Sequence, residues 1–123
     1  MLRLSRSHLD QREVDAVARV LLEDGYLGMG REVEAFEMEL ATYLEVTPGQ
    51  VTCVSSGTAA LHLAMEAVLA PGDEVLVPSI TYVASFQAVS AAGAVPVACD
   101  VSPETATLNL ADAERRLSAN TRA

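Results

Sequence analysis

Between residues 51 and 100, three short apolar runs (VTCV, VLVP and VPVAC) alternate with stretches of helical periodicity. That alternation is the strongest constraint on the fold. Strands that are apolar along their whole length, separated by helices, suit a parallel sheet covered by helices on both faces. The pattern predicts a strand at 51–54, a helix over Ala59–Leu69, and a turn at PGDE, 71–74. A second strand at 75–78, a helix over Val83–Ala92 ended by Gly93, and a third strand at 95–100 follow. Asn109 is placed to cap a short helix with Leu110, Ala113 and Leu117 on one face and Asp112 in its first turn. NTRA, 120–123, falls where another strand is expected, so the sequence reads as one truncated within an α/β domain.

The preceding fifty residues read differently. Val14, Val17, Ala18, Leu21 and Leu22 recur at helical spacing, predicting a helix from about Leu9 to Asp24. Ser7 or Asp10 can cap it, and the Asp10/Glu13 spacing resembles a capping box. Gly25 suits the left-handed position after its end. After the irregular YLGMG, a second helix is predicted over Glu32–Leu44, burying Val33, Phe36, Leu40 and Leu44. Its many glutamates read as a solvated face. The chain therefore divides into N-terminal helices with a loop, 1–50, and the start of an α/β domain, 51–123.

Charge and cysteine usage exclude several classes. The net charge is −9, and all eight basic residues are arginine, with no lysine anywhere. Scattered arginines on an acidic chain lack the footprint of a nucleic-acid binder. Cys53 and Cys99 each sit inside an apolar run and read as small hydrophobes in a reducing compartment, not as a disulfide or metal set. No apolar stretch reaches the length of a membrane span, and no signal-peptide pattern opens the sequence, so a cytoplasmic protein is expected.

SSGTAAL, 55–61, stands where the first strand turns into a helix. In open parallel sheets, ligands bind at the carboxyl ends of strands beside such helix starts. Gly57 can supply a conformation that a Cβ would oppose, bringing the backbone close to a ligand. The amides of Thr58 and Ala59, with the Ser56 and Thr58 hydroxyls, would offer donors to a phosphate at the positive end of the helix dipole. Ser56 acting only as a cap is the competing reading, and the residues alone leave both open. The loop is neither a P-loop nor a dinucleotide fingerprint, and GxSxG is absent. At the next strand end, PSITYVASFQAV places Tyr82 either to stack on a planar ligand or to pack on the sheet. Asp100, at the third strand end, is expected to accept turn amides in preference to binding a ligand.

Four segments together resemble the DegT/DnrJ/EryC1/StrS family of pyridoxal-phosphate-dependent sugar aminotransferases: GYLGMGREVEAFEMELATYL, SSGTAALHLAM, PGDEVLVPSITYVASFQAV and GAVPVACDVSPETATLN. The resemblance covers nearly the whole chain. It implies the incomplete N-terminal portion of a fold-type-I PLP-dependent transferase large domain, with two leading helices and mostly parallel strands. It further implies that Gly57, Thr58 and Ala59 hold the phosphate of pyridoxal 5′-phosphate, that Tyr82 lies over its pyridine ring, and that Ser85 faces the ring region. The loop around Tyr26–Gly30 would border the sugar pocket, often that of the neighbouring subunit. There the family usually carries a hydroxyl residue where this chain has Gly28.

Such enzymes move an amino group, usually from glutamate, to the keto group of a nucleotide-linked sugar, and a homodimer is implied for the full-length protein. The family's covalent lysine and ring-nitrogen aspartate correspond to positions beyond residue 123, so the resemblance implies no catalytic residue here. Arginine cannot replace that lysine, because a guanidinium stays protonated. The isolated chain is expected to be inactive. The family arrangement also separates VTCV from the other two strands by later strands.

Overall fold

The computed structural model describes residues 7–123, which form two compact units, one ending at Cys53 and the other spanning Val54–Ala123.

In the first unit, α1 spans Gln11–Arg19 and continues into a wider π-helical turn, Val20–Asp24. Asp10, not Ser7, is the cap. Its carboxylate accepts from the Arg12 N–H, while the Glu13 carboxylate accepts from the Asp10 N–H, so the capping box is present. The π turn closes with the Gly25 N–H donating to the Val20 carbonyl at 2.9 Å, and Gly25 takes φ +64°. Helix α2 spans Arg31–Tyr43. The predicted buried faces are only partly covered. Ala41 is buried and Val33 and Leu40 are half-buried, but Phe36 and Leu44 are exposed. On α1, Val14, Val17, Leu21 and Leu22 are likewise exposed. The periodicity marks the apolar face correctly, but the described residues of this unit are too few to cover it.

In the second unit, α3 (Gly57–Val68), β1 (Glu74–Pro78), α4 (Ala84–Ala91), β2 (Val95–Cys99) and α5 (Leu110–Arg116) follow in order. Strands β1 and β2 are parallel, with Leu76 opposite Val97. Gly72 and Gly93, both at positive φ, turn the chain into the two strands. Helix α4 packs against both strands and along α3. The core is Val75, Val77, Val89 and Ala94, flanked by Met65, Leu69 and Phe86. Burying a valine side chain of this kind contributes about 1.5–3 kcal/mol.

The strands predicted at 75–78 and 95–100 are present as β1 and β2; of the other expectations for the sheet, two are corrected and one is met. VTCV forms no strand. Within 51–54 the backbone makes one hydrogen bond among the described residues, from the Cys53 N–H to the Glu37 carboxylate at 2.6 Å. A parallel strand needs neighbours, and no described segment pairs with it. Nor is the sheet covered on both faces by the described residues. β1 alternates buried Val75 and Val77 with half-buried Glu74, Leu76 and Pro78. By contrast, residues 120–123 do begin a further strand on the free edge of β1. Glu74 N–H donates to Asn120 O, Arg122 N–H to Glu74 O, and Leu76 N–H to Ala123 O, each at 2.8 Å. A parallel bridge pairs Glu74 with Thr121. β1 is thereby central, with β2 on one side and the incoming segment on the other. No helix among the described residues is long and apolar enough to cross a membrane.

Candidate functional site

Helix α3 begins at Gly57 because Ser56 stands before it in extended conformation (φ −166°, ψ 161°) and its Oγ accepts from the Ala59 N–H at 3.2 Å. Ser56 is therefore a helix cap. The cap engages only the third amide of the helix. The Gly57 and Thr58 N–H groups donate to no acceptor among the described residues, and the first turn carries no acidic side chain. Two unengaged donors at the start of a twelve-residue helix carry its positive pole, roughly half an elementary charge.

The reason expected for Gly57 is not the one observed. Its φ is not positive, and a Cβ built on it would meet nothing within 4 Å. Neither strain nor crowding within this chain requires glycine there. The space above that Cα is open.

Thr58 and Ala59 line a shallow cavity of about 290 Å³ with Ser56, His62, Gln87 and Ala88. His62 stands one turn after Thr58 on the same helix, with its Nε2 shielded and without a hydrogen-bond partner, 3.4 Å from Glu66 Oε1. Sequence reasoning did not single out His62 or Gln87. The i, i+4 spacing of Thr58 and His62 was the available signal.

Tyr82 and Ser85 do not line that cavity. Tyr82 precedes α4 and is 76% exposed, so it does not pack on the sheet. Its carbonyl accepts from the Ser85 N–H at 3.1 Å, and the Ser85 and Thr81 hydroxyls lie 3.2 Å apart. Ser85 borders a separate hollow beside Leu61, Met65 and residues 75–78 of β1.

At the end of β2, the exposed Asp100 side chain accepts no turn amide, contrary to expectation; its backbone is what is held. The Asp100 N–H donates to Asp112 Oδ2 at 2.8 Å, and the Asp100 carbonyl accepts from the Asn109 N–H at 2.9 Å. Asp112 is only 4% exposed and also accepts from Arg116 Nε at 2.6 Å and Arg115 Nη2 at 2.9 Å. The Arg116 contact, then the Asp100 N–H and Arg115, hold its carboxyl well below the usual carboxylate range. Asn109 caps α5 as predicted. The spacing Asp112, Arg115, Arg116 (i, i+3, i+4) announced this cluster, which sequence reasoning left unread. Leu110 and Leu117, expected on a packed face, are exposed, while Ala113 is buried.

The DegT/DnrJ/EryC1/StrS aminotransferase family profile matches residues 7–123. The chain belongs to this family. Among its relatives is dTDP-4-dehydro-2,3,6-trideoxy-D-glucose 4-aminotransferase of Saccharopolyspora spinosa, 41% identical over 100% of this chain and 32% of that protein. The structure of AtS13 from Actinomadura melliaura is 40% identical with a TM-score of 0.86, matching 100% of this chain and 33% of its own. Spr1654 from Streptococcus pneumoniae, solved in a PLP-form, is 29% identical with a TM-score of 0.82, over 98% and 30% respectively. The chain thus spans about a third of the length of these family members. Its helices and small parallel sheet match an incomplete fold-type-I transferase domain.

Proposed function

We propose that this chain supplies the phosphate-holding part of a pyridoxal 5′-phosphate-dependent aminotransferase whose substrates are a nucleotide-linked keto sugar and a glutamate-type amino donor. The observation that carries this reading is the pair of unengaged amides, Gly57 and Thr58, opening onto free space at the start of α3. These residues fit a phosphate: two backbone donors, the Thr58 hydroxyl, and no carboxylate in the turn to oppose an anion. The Ala59 N–H joins them once the Ser56 hydroxyl, which now accepts from it, rotates away. Tyr82, with its ring exposed, covers the pyridine face, and the Ser85 hydroxyl, steadied by Thr81, faces the ring region. When bound, the cofactor supplies an electron sink for proton removal beside the amine.

The chain contributes binding and orientation, not the covalent step, for it contains no lysine. The complete enzyme acts as a homodimer, with the Tyr26–Gly30 loop bordering the sugar pocket. The second reading is a noncatalytic fragment or α/β module that binds a phosphate-bearing ligand through the same two amides.

Comparing pyridoxal 5′-phosphate with pyridoxal tests the proposal. The chain is expected to bind the phosphorylated form at least about tenfold more tightly, and Gly57→Val to remove that preference, since charge-assisted hydrogen bonds are lost. Equal binding of both compounds overturns the phosphate assignment. Borohydride is expected to fix the cofactor to none of the chain's side chains. If the intact protein binds the phosphate but does not aminate a nucleotide-linked keto sugar, the second reading holds.

A further inference from the structure

Residues 120–123 join the edge of β1, yet little in their side chains says where along β1 they should pair. Asn120, Arg122 and Ala123 are exposed, Thr121 is half-buried, and Leu117, which leads into them, is 58% exposed. Register is strongly specified where one face of a strand is buried and weakly specified where the strand is polar. The main chain does not decide the matter either. Residues 120, 122 and 123 bond to Glu74 and Leu76, but the bonds of a parallel pair are evenly spaced, so a slip of two residues offers equivalent ones.

One side chain does distinguish the observed pairing. Glu74 Oε2 accepts from Ser118 Oγ at 2.5 Å and from Thr121 Oγ1 at 3.4 Å. Both hydroxyls are already acceptors within their own turn. Ser118 Oγ accepts from the Asn120 N–H at 3.0 Å, and Thr121 Oγ1 accepts from the Ser118 N–H at 2.9 Å. A hydroxyl has a single proton to give, and here both protons go to the same carboxylate oxygen. Accepting from an amide polarises each hydroxyl, and an ionised acceptor strengthens the bond it donates. Glu74 is thus joined to residues 118–122 by its N–H, its carbonyl and its carboxylate, the side-chain bonds spanning 44 and 47 positions of sequence.

We propose that Glu74 and the Ser118–Thr121 turn form a latch that pins residues 120–123 to β1 in one register. The carboxylate selects the two hydroxyls, and the main chain pairs onward from that point. The latch is a conformational device of the second unit and does not depend on the cofactor reading above.

The test is amide hydrogen exchange, read by NMR, on the full chain and on Glu74→Ala, Ser118→Ala and the double variant. The Leu76 and Arg122 amides report on the latched edge. Val95, which donates to Asp73 O, and Ser79, which donates to Cys99 O, report on the opposite side of β1. Glu74→Ala is expected to speed exchange at Leu76 and Arg122 on the order of tenfold and to leave Val95 and Ser79 within about twofold of the parent. Ser118→Ala, at an exposed position, is expected to do the same, and the double variant to add little. Cross-strand nuclear Overhauser contacts between residues 74 and 121 are expected in the parent and lost in both single variants. Unchanged exchange at Leu76 and Arg122 overturns the latch. Equal acceleration at all four amides also overturns it, because Glu74 would then support the whole unit. Fully additive effects of the two substitutions would separate Ser118 from Glu74 and overturn it, and persisting contacts between 74 and 121 would leave the register to the main chain alone.

Discussion

The two units treat similar apolar patterns in opposite ways. In the C-terminal unit, Val75, Val77 and Val89 disappear between the strands and α4, each no more than 6% exposed. In the N-terminal unit, Val14, Val17, Leu21 and Leu22 form as regular a stripe on α1, yet each stays more than half exposed. The difference lies in what can reach each face. A βαβ unit brings its own cover, because the crossover helix must return over the sheet it came from. A helix pair joined by a short loop buries only what the two helices turn toward each other. Apolar periodicity therefore states which face needs covering, and the connectivity decides whether the same chain can cover it.

The sharpest way to break this comparison is hydrogen exchange on the 123-residue polypeptide. Leu76 donates its amide to Ala123 within the sheet, whereas Thr52 and Val54 donate to no described acceptor. The Leu76 amide is expected to exchange on the order of a hundredfold more slowly than those of Thr52 and Val54. Slow exchange at 52 and 54 would mean that VTCV has found a partner strand, and the contrast would fall.

Truncating side chains asks the same question energetically. Val89→Ala removes two buried carbon groups and is expected to cost about 2 kcal/mol in urea unfolding followed by circular dichroism. Leu22→Ala, at a site 84% exposed, is expected to stay within about 0.5 kcal/mol of the parent. A loss at Leu22 as large as that at Val89 would show that the α1 stripe is covered in solution.

What was legible in the sequence divides along the same line. Signals settled by a few neighbouring residues were readable: the Asp10–Glu13 capping box, the left-handed position at Gly25, the helix end at Gly93, the Asn109 cap, and the strands expected at 75–78 and 95–100, observed as Glu74–Pro78 and Val95–Cys99. Features that need a distant partner were not. VTCV has the composition of a strand but no neighbour, and Phe36 and Leu44 have the spacing of a core without enough chain over them. The candidate site shows the same split. The helix start at Gly57 and its two unengaged amides follow from local sequence, while the openness above Gly57 and the separation of Tyr82 and Ser85 from the Thr58 cavity depend on how α3 and α4 pack. Asp112 lay between these cases: its arginines were in view at i+3 and i+4, but its link to the Asp100 N–H crosses from α5 to the end of β2.

That link supports the smallest and most specific prediction, because it tests whether the second unit is held by polar contacts as well as by its apolar core. Asp112 is held below the ordinary carboxylate range by Arg116, the Asp100 N–H and Arg115. A carboxylate whose pKa is lowered by folding stabilises the folded state fully above its unfolded value, about 3.9. That contribution is lost as pH falls toward the lowered folded value. The parent should therefore lose stability between about pH 5 and the acid end of its range, and Asp112→Asn should flatten that part of the profile. Asparagine keeps the shape and one carbonyl acceptor for the Asp100 N–H, so β2 and α5 stay joined while the charge is gone. Urea midpoints measured across acid pH for both proteins provide the check. Parallel profiles would mean that the arginines merely lie near Asp112, leaving the apolar core as the sole distinction between the two units.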